Sequence, residues 1–341
     1  MQFALILSRF TKIAGLALVG GAFWSSCVFS GPLFAQSQIR QKIESAQASP
    51  EKAIPAVWQP LAARLAKDGL SGPVVNRLLA SFGPVPTQDP MGRKIRELYN
   101  RQFYPSSRKS ASYPYYKGVV TKENAELCRQ YIVAHKAAFA AAEARYGVSP
   151  AIACALLFVE TRLGKVLGDV PENALYTLAS MAVSTKPEDI ESWLPKLKGY
   201  QKHLAWLDET MRKRADWAYN ETKALLRHVI EHRIPLSNLP GSIYGAVGLC
   251  QFMPSNIPVY GADGNGDGVI DLFVPADAIA SLANYLARHG WKKGLGETGK
   301  HKVLMTYNHS VVYANTILAL SQLIEGKPVS KPTPKKRGRS S

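Results

Sequence analysis

The stretch SPAIACALLFVETRLG, residues 149–164, runs from Pro150 to Val159 with almost no polar side chain and then presents a carboxylate, Glu160. Its ends are those of a helix. Ser149 is a good N-cap, Pro150 suits the first helical position, and Gly164 suits the left-handed residue that follows the last turn. A helix that is apolar on every side has no face for water and is buried.

On that helix Glu160 has Leu156 and Leu157 on the turn below and Leu163 on the turn above. Arg162, two positions on, projects from a different face and cannot pair with it directly. Withdrawal from water disfavours the anion and raises the pKa, and the partial negative charge at a helix C-terminus acts in the same direction. A carboxyl held protonated near neutrality can give its proton away as a general acid. The competing reading is a glutamate that reaches solvent at a frayed helix end or pairs with a distant arginine.

The segments around this helix are helical as well. WQPLAARLAKDGLSG (58–72) is an amphipathic helix with a glycine stop, and PVVNRLLASFG (73–83) is a second, shorter one. Residues 83–120, rich in Pro, Ser and Tyr, show no sustained periodicity and read as a long surface loop or groove wall. From Lys122 helices dominate: one through ENAELCRQYIVAHKAAFAAAEARYG, then the Glu160 helix, then 175–181. Two more follow in EDIESWLPKLKGYQKHLAWLDETM and ADWAYNETKALLRHVIEHR. A Gly-rich span, 239–268, has room for short strands and precedes two last helices, in DAIASLANYLARHG and over 311–324. There is no internal repeat and no strong hairpin signal, so the fold class is mostly α.

At 341 residues, 46% apolar and 20% charged, the chain has an ordinary globular composition. Its first thirty-five residues differ: Arg9 and Lys12 precede the apolar IAGLALVGGAFW, and small residues lead to Ala35 at an expected cleavage point. This is the pattern of a secretory signal peptide, with an uncleaved membrane anchor as the alternative; Cys27 in WSSC is a weak match to a lipid-attachment site. Residues 36–54 read as a polar leader, 55–325 as one domain, and 326–341 as a basic tail expected to be disordered. Cleavage leaves Cys128, Cys154 and Cys250, an odd number that allows at most one bridge, and none has zinc-ligand spacing. The formal charge of +17 suits an anionic envelope surface better than nucleic acid, for which nothing but charge speaks.

Three further stretches hold polar groups where a ligand would meet them. GSIYGAVGLCQFMPSNI sets glycines 241, 245 and 248 around Ser242, Tyr244 and Gln251, and glycines let a backbone approach a ligand closely. TYNHSVVYANTI brings Tyr307, Asn308 and Tyr313 together ahead of a helix, and RADWAYNE supplies Arg214. Singly, each has a plain explanation in turns, core packing or a solvated face.

In this order, VETRLG (159–164), GSIYGAVGLCQFMPS (241–255), DGNGDGVIDLFVPADAIASLANYLARHGW (263–291) and YNHSVVY (307–313) resemble the B-type branch of the lytic murein transglycosylases. The resemblance covers roughly residues 55–325. It implies a lysozyme-like, largely helical core with additional helices and a groove for peptidoglycan glycan strands. It also implies that Glu160 is the catalytic acid, acting twice: it protonates the oxygen between N-acetylmuramic acid and N-acetylglucosamine, then takes the proton of the 6-hydroxyl, giving a 1,6-anhydromuramoyl end. The nearest acids in sequence, Asp169 and Glu172, lie in a segment that the family does not use for chemistry.

Carried over position by position, Ser242 orients the acetamido group or a hydroxyl and Gln251 contacts the sugar. Tyr307, Asn308 and Tyr313 line the groove beside the acid, and Arg214 meets an anionic peptide or lactyl carboxylate. Leu163, where an aromatic residue is common, and Cys250 depart from the pattern; Cys250 reads as a core residue or as a partner of Cys154. The resemblance implies an exported, periplasmic or envelope enzyme, monomeric, compatible with membrane attachment through its N-terminus, and in need of no cofactor for its chemistry.

The loop DGNGDGVID reads independently as an EF-hand loop, with oxygen donors Asp263, Asn265, Asp267 and Asp271 at positions one, three, five and nine and Gly268 at the sharp turn. The carbonyl of Val269 donates at the seventh position. The twelfth position is Val274, so an ordinary EF-hand is incomplete. The family uses a longer loop, in which Asp277 closes the set and also caps the next helix. Any calcium held there is structural; the alternative is an acidic turn without an ion. Two other functions remain open for the chain, a hydrolytic muramidase on the same scaffold and a non-catalytic cell-wall-binding protein.

Overall fold

A computed structural model describes residues 53–105, 114–170, 172–236 and 239–329. The expected signal segment or anchor, Cys27, most of the leader and the tail from residue 330 lie outside these residues.

Trp58, fully buried, ends a 3-10 turn (Ala56–Trp58), and α1 (Gln59–Lys67) follows with Pro60 in its first turn and Leu61 and Leu65 on its buried side. Helix α2 (Pro73–Ser81) buries Val75, Leu78 and Leu79. Then comes α3 (Asp89–Phe103), a helix of 15 residues inside the loop expected over 83–120. Its apolar residues Met91, Ile95 and Tyr99 recur every fourth position and are fully buried, so one narrow stripe holds an otherwise charged helix against the core. Gly92 sits inside it because a Cβ there would meet the Trp193 ring at 2.2 Å.

The long helix expected from residue 123 is two, α4 (Lys122–Ala134) and α5 (Lys136–Tyr146), because His135 leaves helical geometry (φ −116°, ψ 32°). Helix α6 (Pro150–Thr161) turns away from α5 by 113°. Ser149 caps α6 by accepting the N–H of Ile152. The helices α4, α5, α10 (Pro275–Arg288) and α12 (Val311–Ile324) all pack on α6, which explains a segment apolar all round. Among the described residues no single helix is long and apolar enough to cross a membrane; the bent α5–α6 pair passes that test, but α6 is the buried centre of the domain.

Helix α7 (Ala174–Val183) starts at Asn173, whose side chain accepts the N–H of Leu175, and packs along α8 (Leu204–Glu231). The sequence suggested two helices across residues 188–233. Instead the first part is 3-10 helix, Pro187–Lys196 and Tyr200–His203, kinked at Ile190 and carrying Pro195, and α8 then runs unbroken. In the Gly-rich span the expected strands reduce to isolated bridges, Gly241 to Val247 and Val247 to Phe252 among them. Short α9 (Ile257–Tyr260) and α10 follow; α11 (Glu297–Tyr307), unexpected from the sequence, buries only Val303 and Leu304, too few for a periodic signal. The fold is mostly α.

Candidate active site

Helix α6 ends at Thr161, earlier than expected. Arg162 (φ 53°), Leu163 (φ 60°) and Gly164 (φ 87°) all take left-handed geometry, so Leu163 does not lie on a turn above Glu160. Two side-chain bonds hold this turn: Thr161 accepts the N–H of Gly164 at 3.1 Å and donates to the carbonyl of Leu249 at 2.9 Å. Arg162, as expected, does not pair with Glu160; its guanidinium lies over the Phe158 ring.

Glu160 is 4% exposed. Burial pushes its carboxyl up to about 8, against the opposing effect of a hydrogen bond that Tyr313 donates to Oε1 at 2.5 Å. Its other oxygen, Oε2, is buried without a hydrogen-bond partner. A proton there neutralises the group and lets it leave water at the least cost. Among the described residues no other carboxylate shifts its proton affinity. Asp169 accepts the N–H of Ile243 and so braces the glycine loop, and Glu172 acts on Tyr176. A further buried carboxylate, Glu221, holds Ser255 through its N–H and its hydroxyl, fixing the end of the QFMPS turn to α8.

Tyr313 is fully buried, and Tyr307 stacks on it with ring centroids 6.3 Å apart and planes within 12°. The Tyr307 hydroxyl donates to the carbonyl of Cys250. Burial raises both phenols well above their usual range, and the charge of Glu160 adds to each. Two neighbours of the acid were not expected there from the sequence: Tyr116, and the thiol of Cys250, which read as a core residue or a partner of Cys154; both feel the Glu160 charge. Tyr116 comes from the aperiodic segment before α4, and its N–H donates to Thr316 on α12. Its one signal was the cluster of tyrosines there.

Ser242 and Gln251 are buried within the glycine loop. Ser242 Oγ accepts the N–H of Ala246, and the Gln251 amide nitrogen donates to the carbonyls of Leu167 and Gly248. Gln251 itself adopts φ 51°. Their hydrogen bonds shape the loop that carries Cys250. The loop needs its glycines: a Cβ at Gly248 would stand 2.3 Å from Leu272 and one at Gly245 2.3 Å from Leu178. Asn308, at the end of α11, has a buried Oδ1 without a partner. Arg214 lies on α8 with its Nε buried and unpartnered, and it makes no hydrogen bond or ion pair with Glu160 or the tyrosines. Cys250 does not pair with Cys154, whose neighbour is Cys128.

In the acidic loop, Asp263 accepts the N–H groups of Gly266 and Gly268, and Asp267 accepts that of Val269. Asp277 is 1% exposed and accepts the N–H groups of Gly264 and Asp271. It does not cap α10, whose N-cap is Val274; it sits in the first turn and reaches back into the loop. Burial raises its proton affinity, and Asp263 and Asp267 raise it further. Among the described residues these carboxylates form no ion pair, and no three of His, Cys, Asp or Glu gather closely enough to hold a metal ion. The loop touches the glycine loop where Leu249 N–H donates to Leu272 at 2.8 Å.

Residues 53–299 match the transglycosylase SLT domain family. A curated relative, the membrane-bound lytic murein transglycosylase B of Escherichia coli, is 32% identical over 190 residues, 56% of this chain and 45% of that protein. The chain thus matches less than half the length of that relative. The Escherichia coli lytic transglycosylase Slt35 in complex with calcium superposes with a TM-score of 0.55 at 20% identity, covering 80% of this chain and 93% of the other. SltB3 from Pseudomonas aeruginosa in complex with NAG-anhNAM-pentapeptide does so at 0.58 and 19%, covering 79% of each. At these identities the structures show the fold, a lysozyme-like transglycosylase core.

Proposed function

The chain belongs to the transglycosylase SLT domain family, and from that membership we propose that it is a peptidoglycan lytic transglycosylase of the cell envelope. It cuts the β-1,4 bond between N-acetylmuramic acid and N-acetylglucosamine and leaves a 1,6-anhydromuramoyl end.

The observation that carries this reading is a lone buried acid. A retaining glycosidase places a second carboxylate about 5–5.5 Å from the first, and an inverting one about 6.5–9.5 Å away with a water between. Among the described residues no carboxylate is among the groups that shift Glu160. Glu160, neutral at neutral pH, gives the proton of its unpartnered oxygen to the bridging oxygen, and the C1–O bond breaks. The neighbouring acetamido group supports the positive charge at C1. The Glu160 carboxylate, held by the Tyr313 hydroxyl, then takes the proton of the 6-hydroxyl as O6 bonds to C1. One proton leaves Glu160 and one returns, and no water is consumed.

Ser242, Gln251, Tyr307 and Asn308 serve the sugar, with the unpartnered Asn308 oxygen free to accept a hydrogen bond, and Arg214 serves an anionic part of the substrate. The hard oxygen donors Asp263, Asn265, Asp267, Val269 and Asp277 suit calcium in kind, and unpaired carboxylate charge in the loop favours a cation. Calcium bound there would supply charge neutralisation and rigidity to the loop, far in role from the proton transfers. Digestion of purified peptidoglycan followed by mass spectrometry tests the reading: anhydro ends from the parent and none from Glu160→Gln support it. Reducing muramic ends would assign hydrolysis instead, and equal clearing by Glu160→Gln would leave a wall-binding protein.

A further inference from the structure

We propose that Cys128 and Cys154 form a disulfide that fastens α4 to the helix carrying Glu160. The thiol of Cys154 donates to the carbonyl oxygen of Cys128 at 3.4 Å, and the two thiols are close enough to act on each other. Both side chains are fully buried where α4 and α6 pack together. The third described cysteine, Cys250, is no competitor, because it faces Glu160 and Tyr307. Cysteine count alone allowed three pairings; the packing of two helices selects one.

The position of the pair gives the bond a role. Cys154 sits on α6 between its N-cap and Glu160. A bond at this point ties the middle of the catalytic helix to α4. It closes a loop that contains all of α5 and the sharp turn into α6, so it removes disorder from the unfolded chain that the helix packing would otherwise have to overcome.

The oxidant is a disulfide, either a small molecule or a protein of an oxidising compartment. One thiolate of the pair attacks a sulfur of that disulfide and expels the other sulfur as a thiol. The second thiolate then attacks the mixed disulfide and releases the remaining thiol. The pair loses two protons and two electrons, and the oxidant is reduced to two thiols. Because both sulfurs are buried in the folded domain, exchange takes place before α4 closes over α6. The inference rests on export of the chain for its setting and on the geometry alone for its pairing.

Trypsin digestion of the exported full chain without reduction, with free thiols alkylated, is the test. The expected product is peptide 123–129 linked to peptide 146–162, with Cys250 alkylated. Recovery of both peptides unlinked and alkylated after refolding in a glutathione redox buffer, or a bridge that contains Cys250, overturns the pairing. A link that forms on refolding and is missing from the exported protein overturns the export reading and leaves the pairing standing. As a second readout, reductant lowers the melting temperature of the parent and of Cys250→Ser by roughly 5–10 °C, and leaves Cys128→Ser and Cys154→Ser unmoved. Equal response of all four proteins would contradict the proposal.

Discussion

Thr161 donates its hydroxyl proton to the carbonyl oxygen of Leu249 across 2.9 Å and, from the same oxygen, accepts the N–H of Gly164. One buried hydroxyl thus joins the end of the catalytic helix, the left-handed turn after it and the glycine loop. Thr161→Val keeps the shape and loses both bonds, leaving a carbonyl and an N–H without partners. The expected cost is about 2–3 kcal/mol of stability and a fall in kcat with little change in KM, since the acid is displaced and the sugar contacts are kept. Thr161→Ser retains the hydroxyl and should restore kcat. Steady-state kinetics with chemical denaturation separates the two effects; a Val variant with parental kcat would remove Thr161 from any part in placing Glu160.

The raised pKa of Glu160 makes two predictions with one sign. Only the protonated acid can start the reaction, so kcat/KM should fall about tenfold per pH unit above pH 8. In the unfolded chain the same group titrates near 4.5. Between pH 4.5 and 8 the folded state therefore holds a proton that the unfolded state has lost, and stability falls as pH rises, by up to about 1.4 kcal/mol per unit from this group. Glu160→Gln lacks that term. Its activity should drop by about 10²–10⁴-fold, while its stability advantage over the parent grows through this window and levels off above it. Melting curves from pH 5 to 9 for both proteins decide the matter: parallel curves would mean that Glu160 is not held neutral.

Tyr313 lowers the proton affinity of Glu160 by donating to its carboxylate. Tyr313→Phe should therefore move the alkaline limb of the kcat/KM profile to higher pH, although the variant is slower overall, by roughly tenfold, because the anion formed in the first proton transfer has lost its donor. A downward shift of that limb would contradict the geometry.

How much of this was legible follows from where each signal lies. Helix α6 and its acid were readable because Ser149, Pro150 and an unbroken apolar run state a buried helix within one short segment, and α12 ends where its pattern does. The Arg162–Gly164 turn was not, since a left-handed arginine and leucine follow from bonds to Leu249 and from tertiary packing, neither of which has a local signature. Helix α3 was missed because its stripe, Met91, Ile95 and Tyr99, is narrow and Pro90 and Gly92 stand in its first turn, the marks of a loop; the glycine is required by Trp193, about a hundred residues away. Tyr116 was missed for a related reason: only the fold brings that segment beside α12.

The acidic loop gives the last prediction. Asp277 is buried, bears the charges of Asp263 and Asp267, and uses both oxygens on loop N–H groups. Each carboxylate oxygen has a second lone pair, so a cation can bind without breaking those bonds. Bound to the folded state alone, it stabilises in proportion to the logarithm of its concentration, about 2.7 kcal/mol at a hundred times its dissociation constant. Calcium at millimolar concentration should thus raise the melting temperature by several degrees, and a chelator should reverse it. Asp263→Asn and Asp277→Asn should each reduce the response. Because the loop meets the glycine loop through Leu272 and Leu249, and Leu249 meets Thr161, the heat resistance of activity should follow the calcium response, with kcat at low temperature unchanged. Identical melting in calcium and in chelator would mean that the loop amides alone hold this turn together.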